Sequence, residues 1–450
     1  MSRETLADLH ARARQLGIPR YRLLERKELE KAIKCASRGR RYGPEPSELA
    51  PGVVKEELTE DQLAGDEEPT PELRETEPEH GAEAEEQPLA GEPETEEPAA
   101  EEPETEGPET EEVTGVLDRM PQGYGFLRLA GLRTGHDDVY ISASQIKRCE
   151  LRPGDEVTGP ARPPRRGERH RALVRVAAVN GQDPEGHRVK FEDLTPVPPR
   201  RRVAVADEAD PLLRAVDLLA PLALGQRILI LAQPRSGRTT LLRALGRAYT
   251  DAGAELIVLL VDERPEEVTR WEQALPEAEI AAAPADTEPR DQVRAAELAI
   301  GHARRRAEAG EDVAVLVDSL SRLALGYRDP SRVKRLFGAG RELEEEGAGS
   351  LTVAATVLEG DEREAEVRTA VETTENVRLK LNAGLAAAGI FPSLVAAECR
   401  SSGEEELRTG EELERARELR SELSQMEAED AARTLGERIA ASTDNRELLA

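Results

Sequence analysis

Ala232-Gln-Pro-Arg-Ser-Gly-Arg-Thr-Thr240 follows directly on the apolar run Ile228-Leu-Ile-Leu231 and leads into Leu241, Leu242 and Leu245. An apolar run, a glycine turn and helically spaced leucines describe a buried strand, a tight turn and the start of a helix. That is the layout of a phosphate-binding loop. In such a loop the backbone N–H groups and the positive end of the helix face the phosphates. The nucleotide contacts are therefore expected from Pro234, Arg235, Ser236, Gly237, Arg238, Thr239 and Thr240, with the Thr239 hydroxyl offered to Mg²⁺. Two positions depart from the usual pattern. Ala232 stands where the first glycine is usual, and Arg238 stands where a lysine normally reaches the β- and γ-phosphates. Arginine keeps the charge but presents it on a longer, planar, forked group.

Two further apolar runs end in acids. Leu256-Ile-Val-Leu-Leu-Val261 is followed by Asp262-Glu263-Arg264-Pro265, and Val313-Ala-Val-Leu-Val317 by Asp318-Ser319. Ligands of open α/β sheets bind beyond the carboxyl ends of the strands, so the loop and both acidic ends are predicted to meet at one nucleotide. Asp318 suits a magnesium-water contact, and Glu263 suits orienting the attacking water. Helical stretches such as residues 290–309 lie between the runs. Residues 203–433 thus read as a parallel sheet covered by helices.

The chain has 450 residues, enough for about two to four domains, and a formal net charge of −29. That charge is unevenly spread. Residues 55–112 hold 25 acidic and two basic side chains, a net −23, which leaves only −6 for the rest. Residues 1–43 carry +7 and residues 113–188 carry +4, so the acidic total misleads about partners. The three cysteines, Cys35, Cys149 and Cys399, have no paired spacing. This excludes a disulfide framework or a cysteine-rich zinc site and fits a reducing compartment. No apolar run approaches membrane-spanning length, so a cytoplasmic protein without membrane contact is expected.

Residues 5–35 follow helical spacing with a break at Gly17-Ile-Pro19, equally consistent with a plain helical hairpin and with nucleic-acid contact. Residues 44–112 are low in complexity, with recurring Glu-Pro-Glu-Thr-Glu units, and read as a disordered, solvated spacer. Residues 113–180 hold short apolar runs with glycine and proline punctuation, the pattern of a small β-barrel. Within it, Tyr124 and Phe126 share one strand face and Arg128 continues it, in a chain with only 2% aromatic residues. Exposed rings offer stacking platforms for unpaired bases, and the arginine can hold phosphate or stack; the competing reading is one core ring and one ring placed by chance.

Taken in order, GYGFLR, DDVYISASQIKR, RPPRRGERHRAL, FEDLTPV, RAVDLLAPLALGQR, the phosphate loop, VDERPEEVT, LVDSLSRLA, RLFGAGRELEEEGAGSLTVAATVL and IFP resemble the bacterial transcription termination factor Rho family. The resemblance covers nearly everything but the acidic segment. It implies a multidomain chain: a helical RNA-associated unit (1–43), a linker (44–112), an OB-fold, cold-shock-like RNA-binding barrel (113–188) and an α/β RecA-like P-loop ATPase domain with C-terminal helices (189–450). It further implies a homohexameric, ATP-driven RNA translocase that acts on RNA polymerase transcription complexes. Primary-site roles in binding single-stranded RNA fall to Tyr124, Phe126, Arg128, Asp138, Tyr140 and Glu168. His170 stands where the family usually has another ring. Nucleotide roles fall to Arg235, Gly237, Arg238, Thr239, Glu263, Asp318 and Arg322, with Phe391 stacking on adenine. Arg400 is the candidate arginine finger.

Several departures bear on activity. Arg235 and Arg238 replace both lysines of the family's loop. Tyr327-Arg-Asp-Pro-Ser-Arg-Val-Lys-Arg335 runs almost straight on where the family has a long pore loop. Residues 381–389, which match the family's second, basic pore segment, carry no charge here. The sequence thus predicts an RNA-dependent ATPase that dismantles transcription complexes. Its competitor is an ATP-binding RNA regulator with little or no helicase activity.

Overall fold

The computed structural model describes residues 110–205, 210–327, 329, 331–360 and 362–449. The expected N-terminal helical unit and nearly all of the acidic segment lie outside the described residues. None of the described helices is long and apolar enough to cross a membrane.

The first sheet comprises β1 (Glu111–Arg119), β2 (Gly125–Arg128), β3 (Val139–Ile141), β4 (Glu156–Arg162), β5 (Arg171–Leu173) and β6 (Ala178–Val179). Its order is β1-β2-β3-β5-β4-β6, and antiparallel pairing of β1 with β4 closes it into a barrel. Alternation along the strands turns Leu117, Leu127, Val139, Ile141 and Val157 inward, where they are fully buried. Helix Ala143–Arg148 follows β3 and is started by a reciprocal cap between Ser142 and Gln145.

The second sheet comprises β7 (Pro196–Val197), β8 (Arg227–Ala232), β9 (Glu255–Glu263), β10 (Glu279–Pro284), β11 (Asp312–Asp318), β12 (Arg341–Leu343), β13 (Ser350–Leu358), β14 (Val377–Leu381) and β15 (Arg400–Ser401). Its main path is β10-β9-β11-β13-β8-β14-β15, parallel from β10 to β14 with β15 antiparallel at the edge. The central strands are continuous apolar runs because both faces are covered. Ile228, Ile230, Val258 and Leu260 pack on one face, and Leu229, Leu231, Ile257 and Leu259 on the other.

Strand order positions the site. After β8 the chain skips two places, later filled by β13 and β11, before laying down β9. In the resulting register Ala232 lies opposite Leu358, Val317 opposite Ala355, and Asp318 opposite Leu260. The turn after β8 and the ends of β9 and β11 therefore share one carboxyl edge.

The barrel is joined to the second layer by close contacts. The Gly154 carbonyl lies 2.9 Å from His302 Nδ1, and Arg152 pairs with Glu308 at 2.8 Å. Gly154 has φ 85°, and a Cβ there would sit 2.2 Å from the His302 backbone nitrogen. Only glycine allows the approach.

Candidate functional site

The turn after β8 closes on itself. The Ser236 hydroxyl donates to the Gln233 carbonyl at 2.7 Å, and Arg235 and Gly237 take left-handed φ values of 64° and 92°. Helix Arg238–Asp251 begins at once, with Gly237 as its cap and Leu241, Leu242 and Leu245 buried beneath it. Pro234 and Arg235 are exposed, as is Thr240, and Thr239 is half-buried in the first helical turn. Ser393 donates its hydroxyl to the Ser236 carbonyl at 2.7 Å. That bond ties the turn to the segment bearing Phe391, whose ring is 54% exposed.

Arg238, Glu263 and Asp318 meet across three elements. Arg238 Nη2 lies 3.2 Å from Glu263 and 3.1 Å from Asp318, so the guanidinium bridges the two acids. Asp318 is only 2% exposed and accepts a bond from Thr356 at 3.2 Å. Burial pushes the Asp318 carboxyl above its ordinary value, against the pull of Arg238. Burial likewise raises Glu263, and the nearby Asp318 charge adds to it. Arg322 takes a different place. Its Nη1 donates to the Asp262 carbonyl at 2.8 Å and pairs with the Asp262 carboxylate, fixing the bend just before Glu263.

The uncharged segment forms a short helix, Ala383–Ala387, capped by Asn382. It lies beside the phosphate turn, with Ala383 N–H donating to Gln233 Oε1 at 3.2 Å. Leu385 packs with Ile390 and Ala432. Arg400 is exposed on β15 and pairs with Glu375 at 2.9 Å.

On the barrel, Tyr124, Phe126 and Tyr140 form one ring cluster, with centroids 5.7 to 6.1 Å apart. His170 joins it, 5.0 Å from Phe126. The rings line an open cleft of about 1220 Å³ that also takes in Arg148, Arg162, Arg165 and Arg169. Glu168 accepts two bonds from Arg162, at 2.7 and 2.8 Å, and one from the Arg165 N–H at 2.9 Å. Arg162 and that N–H hold its carboxyl down to about 2. The clamp is therefore intact above the ordinary carboxylate range and opens only as pH falls towards 2. Stacking rings and a basic rim suit unpaired nucleic-acid bases and their phosphates.

Arg128 and Asp138 are not at the cleft surface. Arg128 is 4% exposed and pairs with both Asp118 and Asp138, while its charge sits 5.6 Å from the Phe126 ring. The expectation that Arg128 holds phosphate gives way to an internal role: it lies opposite Asp138 across β2 and β3 and braces Phe126 from behind. Arg128→Met would leave the buried Asp138 without an ion pair and Asp118 with only Arg294, at 3.4 Å, and is expected to cost the barrel about 3–5 kcal/mol. Urea unfolding of the full chain, followed by hydrogen exchange in β1 to β3, measures this. Unchanged protection there would show that the triad does not hold the barrel. Sequence reasoning also left out Arg162 as a residue of this cleft. The dense run Arg162-Pro-Pro-Arg-Arg-Gly-Glu168 was its only signal.

Comparison with known proteins finds a match in each of the two sheets. Residues 113–185 match the Rho termination factor RNA-binding domain, and residues 213–339 match the nucleotide-binding domain of the ATP synthase alpha/beta family. The transcription termination factor Rho of Bacillus subtilis is 39% identical over 327 residues, 67% of this chain and 76% of that protein. The Rho of Haemophilus influenzae is 36% identical over 74% of this chain and 86% of its own length. That of Escherichia coli K12 is 38% identical over 74% and 85%. The chain belongs to the transcription termination factor Rho family. The ring cluster thus falls in a Rho-type RNA-binding domain, an OB-type barrel. The phosphate turn, Glu263, Asp318 and Arg322 fall in a RecA-like ATPase domain. RNA binding and ATP binding are the two capacities this pairing of domains supplies.

Proposed function

We propose that this chain is a cytoplasmic, RNA-stimulated ATPase that assembles as a homohexamer and releases transcripts from RNA polymerase complexes. The observation that carries this reading is the meeting of Arg238, Glu263 and Asp318 within 3.2 Å at the carboxyl edge of a parallel sheet. A Rho-type ring cleft in the same chain supports it.

The residues suit the following roles. The turn Pro234 to Thr240 wraps the phosphates with the backbone N–H groups of Arg235 to Thr240, and the exposed Phe391 ring stacks on the base. Thr239 and Asp318 are the groups that would hold Mg²⁺. A hydroxyl with one carboxylate suits that ion, which keeps waters and substrate phosphates in its shell. When bound, the ion supplies neutralisation of phosphate charge. Glu263, with its proton affinity raised by burial and by Asp318, orients the attacking water. Arg238 moves from the two acids to the phosphates as substrate enters, and Arg322 keeps Glu263 in place through Asp262. Arg400, exposed at the sheet edge, reaches a neighbouring subunit's nucleotide. In the barrel, Tyr124, Phe126 and Tyr140 stack bases, and Glu168, an anion at any working pH, accepts from base N–H groups. Arg128 and Asp138 stiffen the platform beneath them.

The uncharged residues 381–389 favour weak translocation, because grip on a strand depends on the number of phosphate contacts. Measurable RNA-stimulated turnover with little unwinding of RNA–DNA hybrids is the expected outcome at physiological salt. Robust unwinding would overturn the weak-grip reading. Turnover without any RNA response would instead favour an ATP-binding regulator. Sedimentation with a non-hydrolysable ATP analogue is expected to give six copies, and a persistent monomer would remove the ring.

A further inference from the structure

A cleft of about 440 Å³ lies where the end of β1 meets helices Pro289–Glu308 and Ser331–Phe337, and it shares no lining residue with the ring cleft or the phosphate turn. Seven arginines line it against three acids. Those acids are engaged: Asp118 by Arg128 and Arg294, Glu192 by Arg304 at 3.2 Å, and Glu297 by the Tyr327 hydroxyl at 3.5 Å. Arg119, Arg332 and Arg335 are exposed and form no ion pair with any described residue, and Arg332 lies 5.4 Å over the Tyr327 ring. Deeper in the cleft, Arg305 is 6% exposed; its Nη2 reaches Glu308 at 2.6 Å, but its Nε has no partner. Arg304 Nε is buried and unpartnered too.

Such a concentration of cations is costly without counter-charge. Burial is the main cause holding the Arg304 and Arg305 guanidinium groups below their ordinary proton affinity, and neighbouring arginines push the same way. Guanidinium groups present paired donors that match phosphate oxygens, and several around one cleft suit several phosphates rather than one.

We propose that this cleft binds closely spaced phosphate groups, from a free polyphosphate or from a strand of nucleic-acid backbone, at a third site apart from the phosphate turn and the ring cleft. The anion would sit over Arg119, Arg332 and Arg335 and complete the hydrogen bonding of Arg304 and Arg305.

The test uses the full chain with the phosphate turn filled by a non-hydrolysable ATP analogue and Mg²⁺. Three probes are titrated: inorganic tripolyphosphate, a short single-stranded RNA that fills only the ring cleft, and a long one. The variant is Arg119→Gln/Arg332→Gln/Arg335→Gln, whose side chains are exposed and free of ion pairs; losing the Arg332 contact with the Tyr327 ring is expected to shift its thermal midpoint only slightly. Arg335→Gln alone serves if the triple variant is destabilised. Tripolyphosphate binding weakened tenfold or more, with both RNAs unchanged, supports the site and assigns it to free polyphosphate. Long RNA weakened, with the logarithmic salt slope reduced by about 2 and short RNA unchanged, supports it and assigns it to the strand. Equal loss for short and long RNA would overturn it, showing only a long-range charge effect. Unchanged binding of every probe, or no tripolyphosphate or long-RNA binding that depends on these arginines, would overturn it as well.

Discussion

Glu263→Gln is expected to lower ATP turnover on the order of 10²- to 10⁴-fold while leaving ATP affinity within a few-fold. The amide keeps the shape of the side chain at the end of β9 but cannot take up a proton. The phosphate contacts of the turn and of Arg238 remain. Glu263 is held above the ordinary carboxylate range by burial and by Asp318. The active form is the carboxylate, so turnover in the parent should rise as pH climbs through that elevated titration. The glutamine variant should lack this acidic limb. Steady-state kinetics across pH checks both points. A variant that turns over within a few-fold of the parent would remove Glu263 from the water-orienting role.

The second large effect concerns the ring cleft. Each base stacked on an aromatic ring contributes about 1–3 kcal/mol, so Tyr124→Ala/Phe126→Ala should weaken short pyrimidine-rich single-stranded RNA by tenfold or more. The two rings lie 5.9 Å apart and share Tyr140 as a neighbour, so the single substitutions should not add to the double. Neither side chain belongs to the buried core of the barrel, where Leu117, Leu127 and Ile141 carry the packing. Folding should therefore survive. Fluorescence anisotropy at fixed salt gives the answer, and unchanged affinity would dismiss the platform.

The elements legible in the sequence were those set by continuous apolar runs. The runs at 228–231, 256–261 and 313–317 lie within β8, β9 and β11, and residues 290–309 overlap helix Pro289–Glu308. Strands buried on both faces leave a strong signal because every position is apolar. β10 and β14 leave a weaker signal: Glu279–Pro284 is half alanine, and Val377–Leu381 alternates with Arg378 and Lys380. Their pairing comes from neighbours rather than from their own composition.

The barrel shows a different limit. Period-two alternation correctly placed Arg128 on the face of Tyr124 and Phe126, yet said nothing about what lies across the sheet. Pairing Leu127 with Val139 brings Asp138 opposite Arg128, and pairing Phe126 with Asp118 brings that acid to the diagonal. Register, which no single strand encodes, turned an expected surface cation into an internal one. Arg238 repeats the lesson at the nucleotide site. Its position in the loop was legible, but its bridge to Glu263 and Asp318 depends on strand order.

One chain is expected to couple RNA binding in the ring cleft to ATP hydrolysis at the phosphate turn. ATP turnover of the purified full chain, with and without single-stranded RNA, tests it most directly. Hydrolysis should rise with RNA, lose that rise in Tyr124→Ala/Phe126→Ala at RNA levels that saturate the parent, and fall to background in Glu263→Gln. Hydrolysis indifferent to RNA, or no hydrolysis at all, would contradict it.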